Sequence, residues 1–347
     1  MSANFAYYID IVGTCNLRCP SCPTGNFLPP DFTSVPRPTG TMSPELFREI
    51  ALKIAKHQNP CDSFLGLYNY GEPLLHPKLT KILEISNELN FSPHISTNFS
   101  LRVDFNKLLS NKIGGLRVSM SGFSQKAYGQ GYRRGDVRLV KSNLYRLRVE
   151  MDRKRISFPV EICYHLYRHN SNSSEILSLF ELCEELDYHL SPMIAGFVSV
   201  EKFIRHLNGS TTEEDLKLID KLVASPEELV ELNNESNSNY CELYDEQIVI
   251  NHDGSMALCC GVFDPVHFLD EKFLAVNFKD LIKVKKNKAE LCGQCIATGT
   301  NSAIMQVNSH VMSRKVETLV RNADPSLRLQ DGRVTRINLK NEKVEQN

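Results

Sequence analysis

The chain reads as an α/β protein built on a parallel sheet with helices on its outer face. Six short apolar runs alternate with helical segments instead of pairing as hairpins, the order expected of strand–helix–strand units. Several of those runs end in hydroxyl and amide side chains, where a sheet of this kind gathers its ligands. At 347 residues and 41% hydrophobic content, the chain can bury a barrel-sized core and a smaller module.

Taken in order, Ala6-Tyr7-Tyr8-Ile9-Asp10-Ile11-Val12 is the first strand. Ser43-Pro44-Glu45 then supplies an N-cap, a proline at the first helical position and an early acid, which together open a helix. Strands follow near 63–69, 93–97, 115–120, 158–166 and 190–198, separated by helices near 78–89, 137–152 and 173–187. In the last of these helices Leu177, Leu179, Phe180, Leu182 and Cys183 recur at helical spacing. The polar stretch from about 200 to 240 is helical, with a start at Thr211-Thr212-Glu213-Glu214. Gln247–Ile250 and Ser255–Leu258 form a hairpin around Asn251-His252-Asp253-Gly254, because Asp-Gly is a strong turn signal. Residues 313–347 hold eight Lys or Arg against five Asp or Glu and no aromatics; a final helix and strand, a lid and a loose tail are all compatible with that composition.

No stretch approaches the about 20 apolar residues of a spanning helix, and the N-terminus lacks a basic region before an apolar one. The expectation is a soluble, cytoplasmic protein. A net charge of -1 gives no reason to expect nucleic acid or a membrane as a partner. Eleven cysteines in such a chain point to metal ligation over disulfides. Cys61, Cys163 and Cys183 stand singly in strand or helix patterns and are expected in the core.

Cys15, Cys19 and Cys22 form a CxxxCxxC spacing directly after the first strand. Three thiolates so close together can hold three irons of a cubane [4Fe-4S] cluster and leave the fourth without a protein ligand; part of a zinc site is the alternative. In Tyr70-Gly71-Glu72-Pro73, Gly71 admits close backbone approach, Glu72 can accept from an ammonium and Pro73 fixes the turn. Ser96, Asn98, Ser119 and Ser121 mark the polar ends of the third and fourth strands. Cys241, Cys259, Cys260, Cys292 and Cys295 fall in one 55-residue stretch and imply a second metal site, iron–sulfur or four-thiolate zinc. Tyr68, Tyr164, His165, Arg168 and Arg133 are candidates for substrate acid–base chemistry, with no single residue favoured.

These motifs together resemble the radical S-adenosylmethionine (SAM) enzymes, whose core is a partial (β/α)6 TIM-like barrel. The resemblance implies that Cys15, Cys19 and Cys22 bind the open-site cluster. It implies that Gly71, Glu72 and Pro73 match the segment holding the SAM amino group, and that Ser96, Asn98, Ser119 and Ser121 match strand ends that contact the rest of SAM. Tyr70 stands where the family usually has a glycine, and Ser21 where it commonly has an aromatic that packs near the adenine. The late cysteines are similar to the family's shortened C-terminal SPASM module, the twitch domain. On that likeness Cys241, Cys259, Cys292 and Cys295 bind one auxiliary [4Fe-4S] cluster, and Cys260 is a neighbour that could replace Cys259.

The organisation implied is a core barrel over 1–205, a helical linker over 206–240, a twitch-like module over 241–312 and an extension over 313–347. The activity implied is reductive SAM cleavage to a 5'-deoxyadenosyl radical that abstracts hydrogen from a substrate C–H bond, with an electron donor such as flavodoxin or ferredoxin. A small polar metabolite, such as a polyol or amino sugar, is the expected substrate. With only 14 residues before Cys15, a separate peptide-recognition domain is not expected, although peptide modification is the alternative. A non-catalytic iron–sulfur or SAM-binding protein is the reading from another class.

Overall fold

The computed structural model describes residues 5–25, 37–233, 241–305 and 310–337. The parts of the expected linker, module and extension at 234–240, 306–309 and 338–347 lie outside the described residues.

One eight-stranded sheet carries the molecule. Its strands are β1 (Ala6–Asp10), β2 (Leu65–Gly66), β3 (His94–Thr97), β4 (Gly115–Met120), β5 (Val160–Leu166), β6 (His189–Ile194), β7 (Gln247–Asn251) and β8 (Met256–Ala257). They lie in the order β6-β5-β4-β3-β2-β1-β7-β8. Every pairing is parallel except that of β7 with β8. The architecture is the α/β partial barrel that the sequence implied.

Alternation along the strands sorts the two faces. On β4, Leu116, Val118 and Met120 are buried, while Arg117 and Ser119 point to the other side. On β5, Val160, Ile162, Tyr164 and Leu166 join the core while Glu161 and His165 share the face of Arg117. The helices that cover the outer face start as their caps dictate. Ser43 accepts from Leu46 N at 3.1 Å at the head of Pro44–His57, and Asn172 accepts from Glu175 N at 3.2 Å at the head of Ser173–Leu186. Thr212 and Asp215 form a reciprocal capping box at Glu213–Ile219, the start read from the sequence.

Three expectations change in detail. The second strand shrinks to two residues, Leu65 and Gly66. Cys61 is exposed in a short turn and is not a core residue. Cys292 and Cys295 sit one turn apart on the helix Glu290–Ala297. In the extension, the helix His310–Ala323 and the hairpin of β9 (Leu327–Gln330) and β10 (Arg333–Arg336) pack on Ser173–Leu186 and β6. Ser173 Oγ donates to Asn322 O at 3.0 Å and Arg336 pairs with Glu184 at 3.0 Å, holding the extension in place.

Among the described residues no helix is long and apolar enough to cross a membrane.

Candidate functional site

Cys15, Cys19 and Cys22 leave the end of β1 on a loop with little regular structure, where thiols are free to converge. Cys22 N donates to Cys19 O at 3.1 Å, and Leu17 N approaches the Cys15 sulfur at 3.5 Å. Burial raises the Cys15 thiol to about 12, and the charges of Glu72 and Cys22 push the same way. Cys19 is raised well above its ordinary value by burial, then by Cys22 and Cys15. Thiols whose negative charges oppose one another are near neighbours, and a bound cationic metal group reverses that penalty. Among the described residues no three His, Cys, Asp or Glu side chains gather around a single point as one metal ion requires. A cubane makes a different demand, because each thiolate takes a different iron.

The Gly71-Glu72 turn is tied directly to this loop. Glu72 N donates to Thr14 O at 2.9 Å, while Asp10 on β1 accepts from Gly71 N at 3.1 Å and Tyr70 N at 3.3 Å. At Gly71 an added Cβ would lie 1.5 Å from Val12 O, so only glycine lets the turn pass that close to the cysteine loop. The Glu72 carboxylate is buried and accepts from Leu74 N at 3.1 Å, Thr97 Oγ1 at 2.7 Å and Asn98 N at 2.8 Å. Burial lifts its pKa to about 7 against the pull of those donors. In this geometry the carboxylate knots the turn to the end of β3.

The polar strand ends divide into two groups. Asn98 reaches the cysteine loop, donating from Nδ2 to Cys15 Sγ at 3.7 Å and to Asn16 Oδ1 at 2.9 Å. Ser96 and Ser119 are half-buried on the concave side, open to a ligand. Ser121 is fully buried and donates to Tyr128 O at 3.1 Å, and Pro73 is buried under the turn. Ser21 meets the Tyr167 hydroxyl at 3.1 Å, so an aromatic ring from the end of β5 stands beside the cysteine loop after all.

Among the acid–base candidates, Tyr164 is buried and donates to Asn170 O at 2.8 Å, and Arg168 Nε donates to Leu222 O at 2.6 Å; both hold structure. Arg133 Nε donates to Arg18 O at 2.9 Å and lines a charged pocket of about 150 Å³ beside Cys22, where Lys202 and Arg205 pair with Asp215 and where Lys217, Lys221 and Glu214 also lie. Tyr68 and His165 face the lumen of the sheet. There they meet a pair that the sequence reading missed, Arg117 Nε donating to Glu161 Oε2 at 2.8 Å. Burial works against the Arg117 charge, yet Cys163, Glu161 and Tyr68 outweigh it and hold its pKa above the ordinary range. Solvent still reaches 44% of its side chain, so the guanidinium is available to a ligand within a crowded lumen. His165 Nδ1 lies 2.7 Å from the Tyr132 hydroxyl, and burial, then the Arg117 charge, lowers its pKa to about 4.

A second site lies beyond β7 and β8. Cys241, Cys259, Cys292 and Cys295 all line one cavity of about 340 Å³, otherwise walled mainly by apolar groups such as Val200, Val262 and Leu291. Cys260 is not in its lining. Burial raises Cys292 to about 11 and Cys295 to about 12, with Cys241 next in both cases. Asn301 also lines this cavity; it is 3% exposed, and among the described residues its Oδ1 has no hydrogen-bond partner. Close by, Lys285 is 1% exposed and donates to Tyr244 O and, at 2.7 Å, to Gln247 O. The four thiols, the dry walls and the unsatisfied amide fit a four-cysteine iron–sulfur group, since the amide can turn to offer an N–H to sulfur. Neither Asn301 nor Lys285 was legible as part of a site: each lies within seven residues of the Cys292–Cys295 motif, but in a helix-like run where nothing local shows which side chain turns inward.

The fold is an α/β partial barrel, and it is shared with solved structures at low sequence identity. Solved structures with this fold include SuiB of Streptococcus suis bound to precursor peptide SuiA, with a TM-score of 0.55 and 14% identity over 81% of this chain and 65% of that one. The S-adenosylmethionine-bound form of SuiB gives 0.52 and 15% identity over 82% and 65%. Native anSMEcpe with bound AdoMet and the Cp18Cys peptide gives 0.52 and 14% over 92% and 99%. The chain therefore spans about 65% of the length of SuiB and nearly all of anSMEcpe. No family model and no curated protein matches the chain.

Proposed function

We propose that this chain is a radical SAM iron–sulfur enzyme that oxidises its substrate. The observation that carries the reading is the convergence of Cys241, Cys259, Cys292 and Cys295 on one cavity, in a chain whose other cysteine trio adjoins the Gly71-Glu72 turn. Cys15, Cys19 and Cys22 would hold the open-site cluster, and the later four an auxiliary one. Such clusters, with SAM bound, supply the electron that generates a 5'-deoxyadenosyl radical, the abstraction of a substrate hydrogen, and an acceptor for the electron left behind.

The remaining roles belong to side chains of this chain. Gly71, the Glu72 knot and the strand ends Ser96, Asn98 and Ser119 shape the SAM pocket. In the lumen, Arg117 offers a cation to an acidic or strongly polar substrate group, and Tyr68 and His165 offer hydrogen bonds. A small polar metabolite such as a polyol or amino sugar suits that lining. Peptide modification is the second reading, favoured by the peptides bound to SuiB and anSMEcpe. Cations exceed carboxylates in the pocket beside Cys22, with Arg133, Lys217 and Lys221 in addition to the pair that Asp215 neutralises, which suits an electron donor such as flavodoxin or ferredoxin that presents an acidic face.

Anaerobic reconstitution tests the reading. About eight irons and eight sulfides per chain, with 5'-deoxyadenosine released on addition of dithionite and SAM, are the expected results. About four irons with one zinc would remove the auxiliary cluster, and intact clusters without 5'-deoxyadenosine would make the chain a non-catalytic redox or SAM-binding protein.

A further inference from the structure

Lys285 is the one lysine fully buried among the described residues, and its position is costly. An ammonium taken out of water loses several kcal/mol unless a partner charge compensates it. Among the described residues no carboxylate lies within ion-pairing distance of its Nζ. Its donors go to the carbonyl oxygens of Tyr244 and Gln247, and the Tyr244 ring lies 5.1 Å from Nζ. Tyr244 is itself part of the wall of the four-cysteine cavity. The ammonium is thus pinned behind that wall by two carbonyls; burial lowers its pKa to about 8, against the pull of the charges of Cys259, Asp245, Cys292 and Cys241. The Asp245 carboxylate favours the ammonium but works against it inside the cavity, and its side chain is half-exposed and screened by water.

We infer that Lys285 is the built-in counter-charge of the second cysteine site, a positioning residue that makes the group held there easier to reduce. The inference rests on the auxiliary-cluster reading above. A group held by four thiolates is anionic in either oxidation state and gains a further negative charge with one electron. A fixed cation nearby, in a cavity with mainly apolar walls, stabilises the reduced form more than the oxidised one. Lys285 therefore favours passage of an electron from a substrate radical into the auxiliary site.

The test is a redox titration followed by electron paramagnetic resonance on the full-length reconstituted protein, with added SAM identifying the open-site signal by perturbing it. In Lys285→Met and Lys285→Gln, the auxiliary midpoint is expected to move negative by about tenfold in the reduction equilibrium, 59 mV for one electron. The open-site midpoint should stay in place, and Lys285→Arg should restore the auxiliary value. An unchanged auxiliary midpoint in both neutral variants, with iron content intact, overturns the inference. Loss of auxiliary iron from both neutral variants but not from Lys285→Arg supports it through the same charge. Loss from all three overturns it, because fit and not charge is then decisive. A wild-type protein with about four irons overturns the underlying reading instead, which keeps the two failures distinct.

Discussion

Asn98 touches Cys15: its side-chain Nδ2 lies 3.7 Å from the sulfur, while its own backbone N–H holds Glu72 at 2.8 Å. One residue at the end of β3 therefore couples the cysteine loop to the Gly71-Glu72 turn. Asn98→Ala leaves Asn16 Oδ1 without this donor, and a lost buried hydrogen bond costs about 1–2 kcal/mol. Reductive SAM cleavage should slow by about tenfold, the equivalent of ~1.4 kcal/mol. A rate equal to wild type in a dithionite-driven assay would remove Asn98 from the site.

Asp10 and Arg37 form a buried pair at 3.5 Å, with side chains 3% and 9% exposed. Arg37 also donates to Phe263 O and Asn251 Oδ1, both at 2.9 Å, and stacks near the rings of Tyr70 and Phe263. Asp10→Ala strands the guanidinium and frees the N–H groups of Tyr70 and Gly71. Breaking such a pair costs about 3–5 kcal/mol, which urea unfolding will register. A loss below about 1 kcal/mol would mean that water reaches the pair.

Gly71 and Gly293 make opposite predictions for the same substitution. Gly71→Ala meets Val12 O at 1.5 Å and is expected to abolish SAM binding in equilibrium dialysis. Gly293, between the two cysteines of the helix Glu290–Ala297, has nothing within 4 Å of an added Cβ. Gly293 also lines the four-cysteine cavity, so Gly293→Ala should gain about 0.5–1 kcal/mol of stability from helix propensity in the iron-free protein, while a fall in iron content would mean that the added methyl meets the group held there.

Adjacent Cys259 and Cys260 are separated by the cavity wall. Cys259→Ser should bring iron from about eight to about four per chain, whereas Cys260→Ser should leave it near eight. The reverse pattern would reassign the ligand to Cys260.

Acid sensitivity should trace in part to His165. Its pKa falls from 6.5 to about 4 in the folded chain, so between those values the unfolded chain binds the extra proton. Stability due to this ring is therefore present above pH 6.5 and lost as the pH drops towards 4. His165→Gln should flatten the slope of unfolding free energy across that window, and urea titrations at stepped pH will read it. An unaltered slope would place the acid sensitivity elsewhere.

Much of the scaffold was legible because local signals agreed with the fold. Caps such as Ser43 and Thr212 and the Asp253-Gly254 turn act within a few residues, so spacing alone locates them. The helix around Cys292 and Cys295 was less visible, since CxxC suits a knuckle and a helix turn equally. Arg117 and Glu161 stand 44 residues apart, and only the register of β4 on β5 brings them together. Lys285 lies in the run Lys283-Val284-Lys285-Lys286, which reads as a solvated helix face. Only packing against Tyr244 and Gln247 reveals that one of these lysines turns inward.

The parallel pairing of β7 with β1 over Ala6–Asp10 has a practical outcome for anyone hoping to dissect the protein. Cutting the chain before Gln247 would bare the full hydrogen-bonding edge of β1, a strand whose Tyr7 and Ile9 are wholly buried. Naked edges of that kind recruit other chains and precipitate. The late cysteine region thus doubles as the barrel's edge guard, and genetic removal of the second site by truncation should yield inclusion bodies, whereas cysteine-to-serine changes leave the sheet closed.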